Sequence, residues 1–103
     1  MITDRTVAGG PAILGVDVSP VAVGYRQLAG LDAASTIPDV PPGACRALIA
    51  VSGAPVRWRD DGVMPTPQVG MPIAAGETIE FLGDVSALQL IGPGAVVDVS
   101  LYR

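Results

Sequence analysis

Apolar and polar residues alternate along the second half of this chain in short runs, each closed by glycine or proline. Residues 44–51 are apolar on both faces except at Arg46, the pattern of a strand covered on two sides. Cys45 is expected on a buried face there, beside Ala47 and Ile49, as a small hydrophobe. Over 55–60, Val56 and Trp58 fall on one face and Arg57 and Arg59 on the other, after which Asp60-Asp61-Gly62 forms a turn. The prolines within 64–73 predict a loop or an edge strand, because proline cannot donate to a ladder. Alternation resumes at 77–82, with Ile79 and Phe81 inward and Thr78 and Glu80 outward. It continues at 86–91, with Leu88 and Leu90 on one face, past the turn Gly83-Asp84. After Gly92-Pro93-Gly94, residues 95–102 set Ala95, Val97, Val99 and Leu101 against Val96, Asp98, Ser100 and Tyr102.

The first half is less regular. Residues 21–28 put Val21, Val23 and Tyr25 on one face and Arg26 on the other. Residues 30–43, rich in proline and alanine, read as a long connection ending at Pro41-Pro42-Gly43. Residues 1–20 are interrupted by Gly9, Gly10, Pro11, Gly15 and Pro20; they hold one short strand over 12–18 or form an extended arm that orders on a neighbour. Short strands about ten residues apart with Gly/Pro turns predict an all-β fold, a small antiparallel β-sandwich or barrel. The expected organisation is an extended N-terminal arm over 1–20 and a single β-domain over 21–103.

Composition narrows the functional classes. The chain has 103 residues, 50% hydrophobic and 16% charged, so it is not of the disordered type. Ten acids against six basic residues give a net charge of −4, and all six basic residues are arginine. Nucleic acid is therefore not an expected partner, since phosphate binding needs a basic surface. The longest uncharged stretch, 62–76, is broken by Pro65, Pro67, Gly70 and Pro72, so no membrane-spanning helix is expected. Asp4, Arg5 and Gly9-Gly10-Pro11 make a poor secretory signal. A single cysteine forms no internal disulfide. Small Ala and Val side chains bury little area each, so an apolar chain of this size is expected to cover surface against copies of itself or a larger assembly.

Histidine and lysine are absent. Ser-His and Ser-Lys nucleophiles, a phosphate-binding P-loop and histidine-dependent metal chemistry are thereby removed, and no enzyme and no cofactor is expected. Asp60 and Asp61 with Glu77 and Glu80 across a sheet are the one candidate for two-carboxylate hydrolysis, but a sugar cleft needs aromatics that this chain lacks. Asp60, Asp61 and Asp84 are a conceivable calcium set, yet Asp before Gly is what a turn requires in any case. Trp58 is either core or an interface anchor. Arg57 and Arg59 project side by side, either as a solvated face paired with Glu77 or Glu80, or as a grip on carboxylates of a neighbouring subunit. The candidate interface positions are Arg57, Arg59, Trp58, Asp60, Asp61, Ile13, Leu14 and Tyr102.

The string Arg57-Trp58-Arg59-Asp60-Asp61-Gly62, with Pro65-Thr66, Gly70-Met71-Pro72, Gly76-Glu77, Gly83-Asp84 and Ala87-Leu88, resembles small structural proteins of tailed bacteriophages. The resemblance covers roughly 44–103. It implies a capsid decoration or cement protein on the outer head surface, with the major capsid protein and further copies of itself, as a trimer, for partners. Its arm would lie along the coat protein. A head–tail connector or tail ring component is the alternative, and a small carbohydrate-binding or adhesion module a second. Binding only the assembled lattice would stabilise it by mass action.

Overall fold

A computed structural model describes residues 20–103; the expected arm over 1–20, including the candidate strand over 12–18 with Ile13 and Leu14, lies outside the described residues apart from Pro20. Eight strands follow in order: β1 (Ala22–Leu28), β2 (Leu31–Thr36), β3 (Arg46–Ser52), β4 (Val56–Arg59), β5 (Met71–Ile73), β6 (Thr78–Leu82), β7 (Gln89–Gly92) and β8 (Val96–Tyr102). They form two four-stranded antiparallel sheets, β1-β8-β3-β6 and β2-β7-β4-β5. The pairs β1·β8, β2·β7, β3·β6 and β4·β5 are those of one long hairpin, rolled so that its pairs alternate between two sheets. That is the jelly-roll topology of a β-sandwich.

The core lies between the sheets, where inward positions of both interdigitate. Ala47, Ile49, Phe81, Val97, Val99 and Leu101 of the first sheet meet Leu31, Val56, Ile73 and Leu90 of the second, all at most 4% exposed. β3 and β8 are central, and β8 alternates as the sequence predicts. β3 is instead covered on one side only: Ala47, Ile49 and Val51 are buried while Leu48 on its outer face is 40% exposed, because nothing among the described residues packs on that side of the sheet. Ile79 and Phe81 of β6 pair with Ile49 and Ala47 of β3. Gly92 ends β7 where a Cβ would stand 2.7 Å from a Val56 methyl, so the close approach of β4 and β7 requires glycine.

Several expectations are corrected. The connection over 30–43 contains a strand, β2, whose register against β7 shifts between Leu31 and Ser35. That irregularity and its small residues Ala33, Ala34 and Ser35 erase the period-two signal. In β1 a bulge between Ala22 and Gly24 parts Tyr25 from Val23, its expected neighbour on one face: Val23 packs against the core. Tyr25 and Val21 are more than half exposed, whereas Arg26 lies on the inner side of the strand, its guanidinium bonded to the carbonyls of Pro38 and Asp39. β7 begins only at Gln89, because Asp84 accepts the Ser86 N–H and caps a 3-10 turn over Val85–Ala87. Cys45 precedes β3 and is exposed, while Ala47 and Ile49 are buried. Of 64–73, only Met71–Ile73 is an edge strand.

Candidate binding surface

β4 organises the surface that the sequence singled out. Val56 anchors it in the core, and Trp58 turns inward, half-buried, to meet the Phe81 ring edge-on at 5.5 Å. Arg57 and Arg59 stand on the outer face, and the chain then turns through Asp60-Asp61-Gly62. Both arginines hold the segment that follows. Arg59 grips Asp61 through two bonds, Nε to Oδ1 at 3.0 Å and Nη2 to Oδ2 at 2.5 Å. Arg57 Nη1 donates to the Gly70 carbonyl at 2.8 Å. Between these ties, Thr66 and Val69 bond each other's backbone, and the Thr66 hydroxyl oxygen accepts the Val69 N–H at 2.9 Å. Pro65 is buried beneath the loop.

A loop fastened in this way holds apolar side chains out in water. Val63, Met64, Val69 and Met71 are 50%, 66%, 51% and 57% exposed. Val69, Gly70 and Met71 border an open groove of about 360 Å³ whose remaining wall is Trp58, Arg59, Asp60 and Asp61. Beyond Arg57 lies a second apolar hollow of about 230 Å³, lined by Pro55, Pro67, Pro72, Pro93 and Ile91 among others. The hydrogen bond from Arg59 holds the Asp61 carboxyl below the ordinary aspartate range.

Five predicted positions therefore gather here: Trp58, Arg59, Asp60 and Asp61 on the groove, with Arg57 behind them. Tyr102 is elsewhere, half-buried on the outer face of the other sheet, between Arg46 and Ala22 in the cross-strand row. Ile13 and Leu14 lie outside the described residues. The arginines do not pair with Glu77 or Glu80: Glu80 pairs with Arg46 at 3.4 Å, and Glu77 accepts the Ala74 N–H at 2.8 Å. Arg59 also spends its two-pronged grip on its own chain. The acidic pairing across a sheet is thus not formed, and Asp84 is occupied in capping Ser86. Among the described residues no group of three acidic or cysteine side chains is placed to hold a metal ion. The four exposed apolar residues escape periodicity because they sit in a loop; their signal was the uncharged run 62–76.

Compared with known family models, curated proteins and solved structures, the chain matches none of them.

Proposed function

We propose that this chain is a non-catalytic structural protein of a phage particle, a capsid decoration protein that docks on the coat lattice through the loop over β4 and β5. The observation that carries the reading is the loop tied down by Arg57 and Arg59, which leaves Val69 and Met71 exposed on the groove they share with Trp58, and Val63 and Met64 exposed in the same loop. Several large apolar side chains exposed in one loop of a small domain suit a protein contact, and pre-organisation of the loop lowers the entropy lost on docking. Trp58 suits a protein contact better than sugar stacking, since its ring is half-buried against Phe81. Jelly rolls serve both capsids and lectins, so the fold alone supplies only an analogy. The homo-oligomer about a symmetry axis and the outer head location belong to the same proposal.

Two measurements test it. Quantitative mass spectrometry of purified particles should find copies approaching one per coat subunit; a handful would favour a connector or tail ring, and absence would end the virion reading. Purified chain should cosediment with coat-protein heads, and Met71→Asp should lose that binding while its melting temperature and Trp58 fluorescence stay unchanged.

A further inference from the structure

The four edges of the two sheets are not alike. An open edge is a template for another strand, and proteins blunt it with prolines, bulges, inward-pointing charges or shortness. β5 has three residues, one of them Pro72. β2 is broken by its register shift against β7. β1 carries a bulge and the inward Arg26, fastened to Pro38 and Asp39. Among the described residues, β6, Thr78–Leu82, has none of these devices and no strand on its outer side. Its single charge, Glu80, points out of the sheet plane and is paired with Arg46. The Val51 N–H bonds the Glu77 carbonyl, and the Gly83 N–H bonds the Cys45 carbonyl. Odd-numbered residues of β6 therefore face β3, and Thr78, Glu80 and Leu82 aim their N–H and C=O groups at the open side.

We propose that this edge receives residues 12–18 of a neighbouring copy, so that the chains join head to tail into a closed cyclic assembly. The segment Ala12-Ile13-Leu14-Gly15-Val16-Asp17-Val18 has the strand pattern and length for the site, with one charge. Reach makes the addition intermolecular. β1, where Val21 pairs with Arg103, is four strand spacings from a strand added beyond β6, about 19 Å at ~4.8 Å each. The three residue steps from Val18 to Val21 span at most about 11 Å. A second copy's β6 is a poorer occupant, because two-fold pairing centred on Glu80 sets that carboxylate opposite itself. Donation of an arm from each copy to the next is a heterologous contact, which closes into a ring when the rotation allows. This inference rests on the homo-oligomer of the proposed function, whose contact it names; its test uses the purified chain alone, so it can fail or hold separately from docking on the coat lattice.

The test uses the full chain. Native mass spectrometry and analytical ultracentrifugation should give one defined multiple of the chain mass, and Glu80→Pro should return a folded monomer. Proline at that position removes an outward N–H and leaves the β3 ladder intact. In a Cys45→Ser background, the pair Leu14→Cys and Glu80→Cys should oxidise to intermolecular disulfides that end at the same multiple on a non-reducing gel. A monomeric full chain, an oligomer unaffected by Glu80→Pro, an intramolecular disulfide or no disulfide would each overturn the proposal. If Glu80→Pro fails to fold, as its Trp58 fluorescence would report, the cysteine pair decides alone.

Discussion

Replacing Gly70 with alanine tests whether the loop over β4 is held as tightly as its hydrogen bonds suggest. Gly70 has a φ of 141°, outside the wells open to side-chain-bearing residues, and an added Cβ would lie 3.1 Å from the Trp58 carbonyl oxygen, 3.2 Å from Arg57 Cβ and 3.3 Å from Pro65 Cβ. None of these atoms is the free end of a flexible side chain. Backbone strain of about 1–3 kcal/mol adds to overpacking of about 1–3 kcal/mol, a total of about 2–6 kcal/mol. Gly62, in the turn before the loop, is the control. Its φ of 83° is also positive, but an added Cβ meets nothing within 4 Å. Alanine there costs only the left-handed backbone, about 1–2 kcal/mol.

The contrast between the two variants isolates close packing from glycine's conformational freedom. Trp58, the one tryptophan, reports unfolding by fluorescence without added labels. In urea, Gly70→Ala should lose at least about 1 kcal/mol more than Gly62→Ala, which in a thermal scan is about 4–8 °C for a domain of this size. Equal midpoints for the two variants would refute the packing argument, and with it the claim that the apolar patch is presented by a rigid loop.

The charge ties give a pH signature. Asp61 has its folded pKa lowered by the Arg59 hydrogen bond, so the stabilisation is present above the ordinary aspartate value and lost as pH falls through it toward the folded pKa. A carbon-detected NMR titration of Asp61 should show that depression, and Arg59→Gln should remove it; an unchanged titration would refute the tie. Cys45 should react with a maleimide in the native protein nearly as fast as in urea, because it is exposed; strong native protection would contradict its placement before β3.

The sequence was most informative where burial alternates with exposure at every residue. β8 shows this best: Val97, Val99 and Leu101 are fully buried, while Asp98 and Ser100 face outward beside Gln27 and Tyr25. The same contrast placed Ile79 and Phe81 of β6 correctly. It failed at β2, where Ala33, Ala34 and Ser35 are too alike in size and polarity to mark a face and the register slips. It failed again at β1, where one extra residue moves every later side chain to the opposite face. The turn Asp60-Asp61-Gly62 and the alternation of Trp58 with its arginines were legible, and Trp58, Arg59, Asp60 and Asp61 line the groove, which the sequence did not show. What those arginines hold was not legible, because Arg57 reaches Gly70 across thirteen positions of irregular chain.

The groove and the open edge share one contact. Trp58 forms the groove wall and rests edge-on against Phe81, which belongs to the unprotected strand β6. Leu82, next along β6, is 63% exposed. A strand laid against Thr78, Glu80 and Leu82 would fix the backbone that positions Phe81, and Phe81 in turn limits where Trp58 can move. Close-packed interiors transmit such constraints, since a ring cannot shift without displacing its neighbours. Assembly at one sheet's edge would therefore stiffen the docking surface on the other sheet. A ring of copies would present its grooves already ordered, which lowers the entropy cost of binding for every subunit at once. On these two proposals, self-association and docking would be consecutive uses of one packed pair, Trp58 and Phe81.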